Sequence, residues 1–151
     1  MKVYLAGPLF SEAERAWTRH IRRVLESAAP GIRFIWPYEL ITEQEIEALG
    51  PERAKSEIFD RDRRALDESD ALIAVLDGTQ VDDGTAWEIG YFFASKPGAP
   101  IIGIRTDFRQ AGDLPGSLAN IMIECACSHI VRSLDELVEI VRRLERKGST
   151  P

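Results

Sequence analysis

A chain of 151 residues, 44% apolar and 29% charged, has the size and composition of one soluble globular domain with a sizeable core. Its net charge of -6 and pI near 5.0 argue against a general nucleic-acid binder, which would present a basic face. No apolar run approaches the ~20 residues that cross a bilayer, and two cysteines one residue apart make no disulfide framework, so a cytoplasmic protein without membrane contact is expected.

The apolar start of the chain is too short for a signal peptide and reads as a first strand over 3–6, stopped by Gly7-Pro8. Ser11 and an acidic first turn (Glu12, Glu14) open a helix. Its predicted apolar face is Ala13, Ala16, Trp17, Ile21, Val24, Leu25 and Ala28, with His20 among arginines on the solvated side. Pro30-Gly31 ends it, and 32–36 is a second strand. A β-α-β opening of this length implies a parallel pair with a right-handed crossover. Segment 38–50 reads either as a short helix capped by Thr42-x-x-Glu45 over Ile46 and Leu49 or as a lid.

Pro51 begins a helix over 52–68 whose apolar stripe is Ala54, Ile58, Ala65 and Leu66. Asp62 lies on that stripe, four residues from Ile58 and four from Leu66. An acid facing a core is costly unless it is paired or used. The alternatives are a buried ion pair with Arg61, Arg63 or Arg64, and a functional role; Asp60 points away and is expected to pair with Arg64.

A buried strand over 71–76 leads into Asp82-Asp83-Gly84-Thr85-Ala86-Trp87-Glu88-Ile89-Gly90-Tyr91 and a helix over 84–95. Ligands of open α/β sheets gather where a strand's C-terminal end passes into a helix N-terminus. Three carboxylates there exceed what a turn needs, and Gly84 and Gly90 let a backbone or ligand approach closely. Locally, Thr85-x-x-Glu88 is also a capping box, and Asp82 and Asp83 are also N-cap and dipole partners.

The fourth strand is 101–104, followed by a polar loop from Arg105 to Leu114. Pro115 starts a predicted helix over Leu118, Ile121, Met122 and Cys125, with Asp113 as its cap. Ile130-Val131 forms a last strand, and Ser133-x-x-Glu136 caps a final helix with Leu137, Ile140, Val141 and Leu144 inward. One domain over 1–146 and a fraying tail, 147–151, are expected. Cys125-x-Cys127-x-His129 would share one strand face but lacks a second ligand cluster, so buried thiols and no metal are expected. With no P-loop and no G-x-G-x-x-G, no cofactor is indicated. These elements make an α/β fold, an open five-stranded parallel sheet with helices on both faces, flavodoxin-like or Rossmann-like.

Taken in order, Tyr4-Leu5-Ala6-Gly7-Pro8-Leu9-Phe10, Asp62, Asp70-Ala71-Leu72-Ile73, the 82–91 stretch and Asn120-Ile121-Met122 resemble the nucleoside 2-deoxyribosyltransferase family over almost the whole chain. The resemblance implies that Glu88 is the nucleophile attacking the anomeric carbon of a deoxyribose. It implies that Asp82 and Asp62 contact substrate and help protonate the departing base, and that Tyr4 holds the nucleophile. Gly7, Phe10 and Gly84 belong to the implied substrate-binding set. Asn120 and Met122 match residues supplied to a neighbouring subunit's site, which implies a homo-oligomer.

The implied reaction exchanges bases on 2′-deoxyribonucleosides through a covalent glycosyl-enzyme with retention, the chemistry of retaining glycosidases. A related activity, hydrolysis of 2′-deoxynucleoside 5′-monophosphates, and a catalytically silent nucleotide-binding module are the alternatives. Asn120 and the lack of a basic cluster beside the first turn favour nucleosides.

Overall fold

β3 (Ala71–Val75) is buried at all five positions, as a strand covered on both faces must be. It stands at the centre of a parallel sheet with β1 (Lys2–Ala6), β2 (Arg33–Ile35), β4 (Ile101–Ile104) and β5 (His129–Val131), in the order β2-β1-β3-β4-β5. The computed structural model describes residues 1–148.

Alternation along each strand sorts its side chains into two cores. Val3 and Leu5 join Ile73, Val75, Ile102 and Ile104 on one face, under α1 (Glu12–Ala28) and α6 (Leu134–Gly148). Tyr4 and Ala6 join Leu72, Ala74 and Leu76 on the other. That face is covered by α3 (Pro51–Glu68), α4 (Asp83–Ser95) and the short α5 (Ile121–Ala126). The chain leaves β1 toward β2 on one side and returns to β3 on the other. The strand order therefore reverses between β1 and β3, where an open α/β sheet leaves a crevice.

Most helix starts follow their local signals. Ser11 with Glu14, and Thr42 with Glu45, form capping boxes in which each side chain satisfies the other's backbone amide. Segment 38–50 is thereby a 3-10 turn followed by α2 (Glu43–Leu49), which packs on α3.

Several expectations are corrected. Ala13 and Ala16 are exposed; α1 buries Ile21 and Leu25 of the expected face, and Thr18 besides. Asp60 meets Arg63, one turn on, and not Arg64. No helix starts at Pro115; residues 105–120 run as turns, and α5 begins at Ile121 with Asn120 as N-cap. Asp113 still reaches that helix end, accepting from the Ile121 amide at 2.7 Å. Helix α6 continues through Arg146 and Lys147 to Gly148; the rest of the expected tail, 149–151, lies outside the described residues.

Candidate active site

Tyr4 sits in the middle of β1 with no exposed surface, and its hydroxyl donates to Glu88 Oε1 at 2.6 Å. This bond joins residues 84 positions apart and fixes the Glu88 carboxyl against the sheet. Asp62 comes in from α3. Among the described residues Asp62 has no cationic partner: Arg61 is taken by Glu57 and Glu45, and Arg63 by Asp60 and Asp67. Asp62 is therefore an acid turned into the fold without an ion pair.

The electrostatics follow from that burial. Loss of water pushes the Glu88 carboxyl up to about 8, the Asp62 and Asp82 charges add to the rise, and only the bond from Tyr4 opposes it. Burial alone pushes Asp62 up to about 6. The Tyr4 phenol is driven far above its ordinary range by burial and by the negative charges of Glu88 and Asp62, so it stays a donor. Near neutrality Asp62 and Glu88 together hold about one proton, a condition suited to a site that needs one acid and one carboxylate.

The head of α4 is built by Asp82. Its Oδ2 accepts from the Thr85 amide at 2.9 Å and the Thr85 hydroxyl at 3.0 Å, which makes Asp82 the N-cap. The alternative in which Glu88 caps the helix is thus excluded: its carboxyl is turned to Tyr4. A Cβ on Gly84 would stand 3.2 Å from that same Asp82 oxygen, so glycine leaves room for the carboxylate. Gly7 likewise lets the end of β1 pass Val75, whose Cβ would lie 3.2 Å from an added methyl. Phe10, in the loop leaving β1, is exposed over 79% of its surface, and Arg15 pins that loop by donating to Leu9 O at 2.7 Å.

A sequence profile of the nucleoside 2-deoxyribosyltransferase family matches residues 3–126, a span that holds every one of these groups. The chain belongs to that family. An uncharacterised protein of Ureaplasma parvum serovar 3 is 31% identical over 97% of this chain and 98% of its own. A solved structure of a conserved protein from Enterococcus faecalis V583 superposes with TM-score 0.79 at 25% identity, covering 95% of this chain and 98% of that one. A 2-deoxyribosyltransferase from Bacillus psychrosaccharolyticus superposes with TM-score 0.74 at 22% identity, over 91% and 90% of the two chains, a likeness of fold.

Two of the expected substrate-binding residues lie elsewhere. Asn120 and Met122 are exposed at the start of α5, Met122 over 77% of its surface. Asn120 is occupied locally: its Oδ1 caps the Met122 amide at 3.0 Å and its Nδ2 meets Asp113. Both line a cleft of about 820 Å³ between α4 and α5, with Ala86, Gly90 and Phe93. Glu88 is not among its lining residues, since 86, 90 and 93 share one flank of the helix and Glu88 projects from another.

Sequence reasoning missed Arg105. Read as the start of a solvated loop, it has no exposed surface at all. The only available signal was its place directly after an apolar strand. The cysteine expectation is also corrected. Cys125 lies in α5 and is exposed, Cys127 is that helix's C-cap, and His129 opens β5, so a helix end separates them and they share no strand face. Among the described residues no group of three His, Cys, Asp or Glu is arranged to hold a metal, and no helix is long and apolar enough to cross a membrane.

Proposed function

We propose that this chain moves the 2-deoxyribosyl group between nucleobases of 2′-deoxyribonucleosides through a covalent ester on Glu88. The observation that carries this is the Glu88 carboxyl, buried beside Asp62 and held at 2.6 Å by a tyrosine that cannot itself ionise. A Glu88 oxygen attacks the anomeric carbon as the N-glycosidic bond breaks, and the bond's electron pair leaves on the base nitrogen. The proton that Glu88 gives up as it attacks passes, through Asp62 or Asp82, to that nitrogen. One proton leaves the enzyme with the first base, so this half-reaction draws none from solvent. The acceptor base then attacks the same carbon, displaces Glu88 and returns its proton. Two inversions give net retention.

In the second part of the proposal, Asn120 and Met122 serve the site of a neighbouring copy. Phe93, Ile121 and Met122 are exposed apolar groups beside the α4–α5 cleft, and a Cβ on Gly90 would meet nothing within 4 Å there. An apolar patch of that kind marks an interaction surface, and a second copy would cover it in an isologous pair.

Chromatography of reactions containing a 2′-deoxynucleoside, with and without a different free base, tests the activity. A new deoxynucleoside formed only in the presence of the acceptor base is expected. Release of base from the 5′-monophosphate alone would assign hydrolysis instead, and no reaction with either would leave a binding module.

A further inference from the structure

Arg105 follows directly on β4, and its guanidinium is spent on backbone carbonyls. Nη1 donates to Leu76 O, and Nη2 donates to Gly78 O at 3.0 Å and to Arg109 O at 3.1 Å. Its Nε is buried without an acceptor, and among the described residues no carboxylate is paired with it. A fully buried cation held only by carbonyl dipoles is an expensive way to close a loop. The loop it closes is the one that leads to Asp82.

The same junction is stitched from the other side. Asp77, between the two clamped carbonyls, accepts from the Thr106 amide at 2.6 Å, the Thr106 hydroxyl at 2.8 Å and the Asp107 amide at 2.8 Å. Gly78 turns with φ of 120°, a region that side chains avoid, and its amide donates to Asp107 at 3.3 Å. Four residues on, Asp82 caps α4. The charged and titratable groups that bear on Glu88 are Tyr4 from β1, Asp62 from α3 and Asp82 at the head of its own helix. The nearest acid of α5, Glu124, is turned away onto the Leu118 and Ala119 amides.

We propose that Arg105 is a positioning residue, whose clamp on Leu76 and Gly78 fixes the 76–82 loop so that Asp82 stays beside Glu88. Loosening the clamp lets Asp82 withdraw, and the Glu88 carboxyl then loses one of the two charges that hold its proton on. A role in fold stability alone would leave that ionisation unchanged. The kinetic part rests on the deoxyribosyl-transfer reading above; the ionisation part does not.

The test is a carbon-13 NMR titration of the Glu88 carboxyl, assigned by its absence in Glu88→Gln, in the full chain carrying Arg105→Met or Arg105→Lys. In Arg105→Met the Glu88 midpoint falls by on the order of half a pH unit. In the same variant kcat drops roughly tenfold, because Asp82 withdraws from the proton path to the base and this outweighs the gain in ionised Glu88, with KM within about threefold of wild type. Arg105→Lys, which keeps the charge and fewer donors, moves both in the same direction by less. In an Asp82→Asn background Arg105→Met adds no further displacement, because the two act through one carboxylate.

A folded Arg105→Met protein with a wild-type Glu88 midpoint overturns the proposal, as does a displacement that persists in the Asp82→Asn background. If the Met variant does not fold, an unchanged midpoint in Arg105→Lys overturns it equally. A midpoint that moves as described in a protein that exchanges no bases would leave Arg105 in its role and remove the transfer reaction.

Discussion

Replacing Glu88 by Gln removes the proposed nucleophile and should make the protein more stable at neutral pH. Burial holds the Glu88 carboxyl at about 8, against an ordinary 4.5 in an unfolded chain. At pH 7 the unfolded state has lost that proton and the folded state mostly keeps it, so folding takes a proton up. Where the folded state binds more protons, stability falls as pH rises. The loss begins near 4.5 and is complete near 8. At 1.36 kcal/mol for each pH unit, it amounts to on the order of 3 kcal/mol at pH 7. Gln resembles the protonated acid and still offers an oxygen to Tyr4, so the variant escapes that cost. Thermal melts of wild type and Glu88→Gln at pH 4.5 and pH 7 measure it. The variant's Tm should exceed wild type by about 6–12 °C at pH 7, and the gap should nearly close at pH 4.5. A gap independent of pH, or one favouring wild type at pH 7, would refute the burial argument for Glu88.

The other groups yield separate outcomes. Tyr4→Phe removes the one interaction that favours ionised Glu88, so the Glu88 midpoint should rise above about 8, and kcat should fall 10- to 100-fold, roughly the effect of one lost donor, both read from a pH–rate profile. For wild type that profile should be a bell with limbs near the two values of the acid pair, about 6 and about 8. Asp82→Ala loses both bonds to Thr85, and calorimetry should show helix α4 destabilising the fold by about 1 kcal/mol. Asn120→Ala and Glu88→Ala should each be inactive alone; unfolded and refolded together, they should regain roughly a quarter of wild-type activity, as random pairing with one intact site per mixed pair requires.

The sheet was legible because its strands are short apolar runs bounded by Gly and Pro, and the two long amphipathic helices α1 and α6 because their periods and caps agree. The acid on the α3 stripe was legible for a related reason: Asp62 breaks a pattern that its neighbours Ile58, Ala65 and Leu66 define. What local reading left open was the head of α4, where Asp82-x-x-Thr85 and Thr85-x-x-Glu88 both spell a cap. A tyrosine 84 positions away decides between them, and no window of sequence contains that fact. The segment 105–120 failed for the same reason in stronger form. Its turns are set by Asp77, Arg105 and Asp113 reaching across the sheet edge, so propensity at Pro115 had no vote. A charge at a strand end is normally solvated, and Arg105, with no exposed surface, departs from that rule.

Helix α4 also explains why the acid cluster and the α4–α5 cleft do not coincide. Its Glu88 flank meets β1 and α3, which bring Tyr4 and Asp62 to it. Its Ala86–Gly90–Phe93 flank opens to the cleft that carries Asn120 and Met122. One copy therefore owns the carboxylates, while Asn120 and Met122, proposed to serve a neighbouring copy, stand across the helix from them. In an isologous pair each α4 would present one flank to its own acids and the other to its partner, so a helix of thirteen residues serves two sites. On that arrangement each site is complete only when the second copy is in place, and stability and turnover should depend on protein concentration together.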